Sequence, residues 1–284
     1  MLISYNRPSI AWSLIGAGAA WLSDDAGAAL TNGRPAAVSR LQWLSGAQST
    51  ASILTLRGVW GTAFAPRVLA LLGLTLPVGT LITLAFRRAA DAGYTYQADV
   101  AQQRVVQLPD GSRCAWFVLA DGLDPVIGVE FRLHNDVNGA ASIAADSAFD
   151  VGEAWVGQTV EIPHEAGWAR GLVDPTRVQR SYGGQTFGRA RRSWRTLKAR
   201  FAPADAIEVN GNGLAAGSDW EQVEAALLSG SPCAVLPRWR DQTPDYLQRT
   251  ALFAIAVQQG DVQHAAGSLY GRDYSFEEVP AAAA

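Results

Sequence analysis

Between Pro66 and Pro77 the chain reads Val68-Leu69-Ala70-Leu71-Leu72-Gly73-Leu74, with no polar side chain in the run. Pro66 before it, and Gly73 and Pro77 at its end, leave too little room for a helix. The run therefore reads as a strand, and a strand apolar at every position is buried on both faces. Nothing else in the sequence constrains the architecture as strongly. Its neighbours in the chain follow suit. Ser52–Trp60 alternates Ile53, Leu54, Leu56 and Val59 with Thr55 and Arg57, and Thr80–Arg87 carries Leu81, Ile82, Leu84 and Phe86. Cys114–Ala120 is a further strand, and Val126–Asn135 places Ile127, Val129, Phe131 and Leu133 on one face. Leu41–Leu44 and Ala154–Gly157 add shorter ones. Turn signals separate them: Thr31–Pro35, Pro77–Gly79, Asp121–Pro125 and Asp136–Gly139. Short strands, turns and almost no helical periodicity predict a β-sandwich over residues 1–160.

At 284 residues the chain is long enough for two domains, with the expected boundary at 157/158. In the second half, residues 158–284, the predicted helix spans Asp219–Ser229. Ser218 and Glu221 stand at capping-box spacing, and Gly230 and Pro232 supply the stop. Trp220, Val223, Ala226 and Leu227 form its apolar face, with Glu221, Gln222 and Glu224 turned away. Cys233–Leu236, Arg249–Val257 and Leu269–Val279 read as strands. The whole is mainly β, with one helix flanking the second sheet unit. No run is long and uncharged enough for a membrane helix, and the opening segment lacks the flanks of a signal peptide, so a soluble protein without membrane insertion is expected. Cys114 and Cys233 read as buried free thiols in a reducing compartment.

Charge is distributed very unevenly. Arg177 to Phe201 holds eight basic residues and no acid, while the rest of the chain carries 15 basic residues against 26 acidic ones. Arg177–Tyr182 reads as one strand, Gly183-Gly184 as a bend and Arg191–Phe201 as the returning strand. The ribbon has three readings: a solvated sheet face, a subunit interface in which Arg177, Arg180, Arg189, Arg191, Arg192 and Arg195 meet acids of a neighbour, or a phosphate-facing patch. The interface is the leading one. A charged fraction of 17% and ten Trp also fit a chain that covers its surface with partners.

No catalytic frame is present. His134, His164 and His264 sit in none of the nucleophile or metalloprotease motifs, and each reads as a loop or turn residue. Gly16-Ala17-Gly18 lacks the βαβ context of a dinucleotide loop. Asp24-Asp25 and Asp121 with Asp124 read as solvated loop acids rather than calcium ligands. The expectation is a non-enzymatic protein with no cofactor and no metal. Trp43, Trp60 and Trp116 are core residues or a sugar-stacking platform, with Trp43 and Trp60 the glycan candidates.

Two resemblances add to this reading. The series T-N-G-R-P, R-V-L-A-L-L-G-L-T-L-P-V-G-T-L-I-T-L, C-A-W-F-V-L, I-G-V-E-F-R-L-H-N-D and G-E-A-W-V-G resembles galactose-binding-like (discoidin-type) jelly rolls across residues 1–157. The segments D-P-T-R-V-Q-R-S-Y-G-G-Q-T-F-G-R-A-R-R-S-W-R-T-L, W-E-Q-V-E-A-A-L-L and Y-x-x-x-Y-S-F-E-E resemble tail-tip proteins of long-tailed bacteriophages, the distal tail and minor tail proteins, across residues 158–279. The second resemblance implies a tube-like β-sandwich or split barrel that forms a ring, sixfold or threefold. Such a ring sits in the virion tail tip, is assembled in the host cytoplasm, and links the tail tube and other baseplate proteins to the receptor-binding apparatus. It also implies that DNA passes through the lumen. A carbohydrate-binding adhesion module for host glycan is the alternative.

Overall fold

The computed structural model describes residues 1–16, 18–43, 49–96, 101–119, 123–162, 168–189, 191–211, 213–214, 218–228, 230–240, 244–261, 263–267 and 269–281. The chain is mainly β, built from several sheets, with three short helices among the described residues. In the first half the strands are β1 (Leu2–Tyr5), β2 (Ala11–Ile15), β3 (Ala20–Trp21), β4 (Ser39–Gln42), β5 (Ile53–Phe64), β6 (Val68–Leu72) and β7 (Thr80–Arg87). They continue with β8 (Gln102–Arg104), β9 (Val106–Gln107), β10 (Arg113–Val118), β11 (Val126–Val137), β12 (Ala148–Val151) and β13 (Glu153–Glu161). The second half holds β14 (Ala169–Val173), β15 (Arg177–Arg180), β16 (Thr186–Arg189), β17 (Trp194–Asp205), β18 (Cys233–Leu236), β19 (Leu252–Gln259), β20 (Gln263–Ala266) and β21 (Leu269–Glu278). Helices α1 (Ala206–Asn210), α2 (Trp220–Leu228) and α3 (Pro244–Thr250) punctuate that half.

One sheet runs through both halves, in the order β14-β17-β21-β19-β18-β1-β13-β6-β10-β9, with β20 on β21. A second sheet, β2-β5-β11-β7-β8, covers one face of β6, β10 and β13. Small sheets β12-β4-β3 and β15-β16 complete the set. The run that opened the sequence reading lies where its composition requires. Leu69 and Leu71 enter the core shared with the second sheet, and Val68, Ala70 and Leu72 enter a core on the opposite face. That opposite face is covered by Leu236, Leu247, Ala251 and Phe253, all from the second half. Gly73 ends the strand at φ +65°, and a Cβ there would stand 2.4 Å from the Pro35 carbonyl oxygen, so only glycine fits the exit.

The boundary expected at 157/158 falls inside β13, whose far end pairs with β1. β1 in turn pairs with β18 across its other edge: Leu2 stands opposite Glu161 on one side and Leu236 on the other. All four β1 residues are buried, and each large apolar side chain so removed from water contributes roughly 1.5–3 kcal/mol. Trp155 fastens the same seam, its indole N–H donating to the Ser4 hydroxyl at 3.0 Å and its ring meeting Phe253 edge-on at 5.4 Å. Gln248 of α3 adds a second fastening. Its carboxamide accepts from the Trp116 amide at 2.7 Å and donates to the Trp116 carbonyl at 2.9 Å. A side chain thus occupies the edge of β10 beyond the short β9, satisfying two buried backbone groups.

The single expected helix is α2, and two features of it differ. Asp219, not Ser218, accepts from the Gln222 amide, at 2.9 Å, so the cap sits one residue later. Glu224 points inward, hydrogen-bonded by Tyr274 and paired with Arg272. Gly230 closes the helix in the left-handed region, its amide donating to Leu227. Helices α1 and α3 were not expected; Arg249 and Thr250, read as the start of a strand, belong to α3.

Candidate functional site

The basic ribbon is a long β-hairpin whose base is sheet and whose outer half is free of it. At the base, β14 pairs with β17 from Ala169↔Lys198 to Val173↔Trp194. Beyond a break, β15 pairs with β16 from Arg177↔Arg189 to Arg180↔Thr186. The break is closed by the Arg191 amide, which donates to the Thr176 hydroxyl at 3.4 Å. The tip turns over Tyr182–Gly184: the Ser181 amide donates to the Gln185 carbonyl at 2.8 Å, and Gly184 takes φ +77°. A three-residue loop with its last residue left-handed is a common hairpin closure. The bend is where Gly183-Gly184 predicted it, but the returning strand starts at Thr186. Arg191 and Arg192 lie in the break, and Arg195 lies in β17.

The arginines divide into two groups. Those at the base are anchors. Arg192 donates to Asp110 at 2.7 Å. Burial raises the pKa of that carboxyl, but Ser112 and Arg192 outweigh it and hold Asp110 below the usual carboxylate range. Arg195 binds both oxygens of Glu278, through its amide and guanidinium, and donates to the Arg249 carbonyl at 2.9 Å. Arg170 reaches the same carbonyl at 3.1 Å, so two cations meet the C-terminal end of α3, where the helix dipole is negative. These contacts fix the base to the body and rule Arg192 and Arg195 out as free contact residues.

The outer group faces water. Arg177, Arg180 and Arg191 are exposed, and the register sets Arg189 opposite Arg177. Like charges on one rung destabilise an isolated ribbon. Val178 is 61% exposed, Phe187 58%, and Tyr182 is fully solvated at the tip. Sequence reasoning singled out the arginines and not these three: Val178 and Tyr182 fell in the expected first strand, and Phe187 fell between the bend and a returning strand expected only from Arg191. Both faces of β15–β16 are open, and a lone two-stranded ribbon is marginal in water. Exposed guanidinium groups thus stand beside exposed apolar side chains on one ribbon.

Other sequence candidates lie elsewhere. Trp43 and Trp60 are buried in the core between the sheets, Trp60 donating to the Val126 carbonyl at 2.9 Å. They present no face to a sugar, so the expected glycan platform is corrected. Trp116 is buried as well. Asp25 accepts from Ser39 at 2.7 Å and from the Ala29 amide at 2.8 Å, ordering its turn. Asp124 pairs with Arg88 at 3.0 Å, and Asp121 lies outside the described residues. His134 meets the Thr83 hydroxyl at 2.9 Å, His264 packs on Tyr270, and His164 lies outside the described residues. Among the described residues no group of three metal-ligating side chains comes together, and no helix is long and apolar enough to cross a membrane. Cys114 and Cys233 are free and buried, and burial pushes each thiol up to about 12.

Comparison with known proteins found no matching family model, no matching curated protein and no matching solved structure.

Proposed function

We propose that this chain is a structural component of a long-tailed phage tail tip, a ring-forming distal-tail-like protein acting by assembly rather than by catalysis. The observation that carries the reading is the solvated arm. A hairpin anchored at its base by Arg192 and Arg195 projects exposed arginines and aromatic rings away from the body. Closed symmetry is the ordinary way to cover such a surface with copies of the same chain. In this reading the ring sits in the virion between the tail tube and the receptor-binding apparatus. Its lumen passes DNA through weak phosphate contacts. The resemblance of residues 158–279 to tail-tip proteins supports the assignment, as does the segregation of basic residues into one ribbon.

Mass photometry and negative-stain imaging of the purified protein test it. Rings of six or three copies are expected, and a protein that stays monomeric at every concentration and never joins a tail overturns it. The glycan reading loses its carriers with the burial of Trp43 and Trp60.

A further inference from the structure

The arm has a complement on the same chain, and the chain cannot bring the two together itself. Directly after the basic ribbon, residues 202–237 hold five acids (Asp205, Glu208, Asp219, Glu221 and Glu224) and no basic residue. Glu224 and Asp219 are turned inward, the first to Arg272 and Tyr274 and the second to cap α2. Asp205 and Glu221 are exposed and Glu208 is half-buried, and Asp205 and Glu208 also form the capping box of α1, the Asp205 amide donating to Glu208 at 3.3 Å. Ile207 (62%) and Leu228 (69%) are exposed as well. On α2 the exposed residues Glu221, Ala225 and Leu228 follow at helical spacing, making one outward stripe that starts acidic and ends apolar. The arm offers the reverse charges with apolar groups of similar exposure.

Strand β17 separates the two. The arm projects from its N-terminal end and α1 begins at its C-terminal end. Twelve extended residues span roughly 40 Å, so the arm cannot fold back onto its own helices. Complementary surfaces at opposite ends of one strand, when they meet between copies, make a head-to-tail contact, which closes into rings when the rotation permits.

We propose that the β15–β16 arm of one copy docks on the α1–α2 face of the next, Arg177, Arg180 and Arg191 facing Asp205, Glu208 and Glu221. The apolar contact is between Val178, Phe187 and Tyr182 and the exposed Ile207 and Leu228. This deepens the assembly reading above and rests on it.

Two charge-reversed proteins test the pairing: Arg177→Glu with Arg180→Glu on the arm, and Glu221→Lys with Gln222→Lys on α2. All four side chains are exposed, and unchanged melting curves verify folding. Alone, each variant is expected to raise the concentration needed for assembly by roughly a hundredfold or more, because like charges then face each other. A single chain carrying all four substitutions should assemble again in a ring of either order, since its reversed arm meets a reversed α2 face on every neighbour. Normal assembly by the α2 variant, with failure of the arm variant, places the acceptor elsewhere and overturns this inference while leaving the assembly reading intact. Failure of that combined variant to recover overturns it too. A wild-type protein that never assembles removes both.

Discussion

The arm and the seam are made of the same material and end in opposite states. In the seam, Leu2, Ile3, Trp155 and Phe253 are buried where strands of both halves meet. In the arm, Val178, Tyr182 and Phe187 stand in water on a ribbon with no third strand. Apolar alternation marks a strand but does not say who covers it. For the seam the cover comes from residues far away in the same chain. For the arm no described part of the chain supplies it.

That contrast can be broken most severely at the seam. Trp155→Ala removes a buried ring and leaves the Ser4 hydroxyl without its donor, and a loss of roughly 3–5 kcal/mol is expected. Chemical denaturation should show both halves melting in one transition, because the ring packs against strands from each; two separate transitions would mean that the halves are independent.

Next comes Glu153. It is buried, paired with Arg7 and hydrogen-bonded by the Gly33 amide at 2.9 Å. Burial nevertheless raises its pKa from 4.5 to about 7. The folded state therefore holds this proton more tightly than the unfolded chain does. Its contribution to stability is complete below about pH 4.5 and is lost as pH rises through about 7. The span corresponds to on the order of 3 kcal/mol. Thermal melts of wild type should fall between pH 5 and pH 8 by more than those of Glu153→Gln, and parallel profiles would remove the carboxyl as the cause.

Gln248→Ala sharpens the comparison with a smaller effect. Two buried backbone groups of Trp116 lose their partner, at about 1–3 kcal/mol, and hydrogen exchange at the Trp116 amide should accelerate beyond that of its neighbours in β10. At the arm the same kind of surgery should leave the isolated monomer almost untouched. Val178→Ser with Phe187→Ser is expected to shift monomer stability by no more than about 0.5 kcal/mol while weakening assembly. A large drop in monomer stability would show that the arm is covered by its own body.

Much of the architecture was legible in the residues. Thr80–Arg87 and Cys233–Leu236 are strands with the bounds their apolar runs gave, and Val68–Leu72 is buried on both faces as its composition demanded. What could not be read was partnership across distance. Nothing local in Leu2-Ile3-Ser4-Tyr5 says that it belongs between β13 and β18, so a boundary at 157/158 looked natural. Helices α1 and α3 are too short for a hydrophobic period to show, and α3 is held by Gln248 and Leu247 contacts rather than by propensity. The candidate site was legible as charge and misread as register. Arginines dominate both the anchors and the exposed rungs, and only the acids opposite Arg192 and Arg195 tell the two apart.

The position of β1 also sets an order of events during synthesis. Its first neighbour, β13, begins at Glu153 and its second, β18, at Cys233. Until that second segment leaves the ribosome, a strand buried at every position in the finished sheet has one bare edge, the condition that invites mispairing with other nascent chains. Contacts so distant in sequence also make for slow folding. The α1–α2 segment and the arm are both made before Cys233, so both exist before the sheet that carries them has closed.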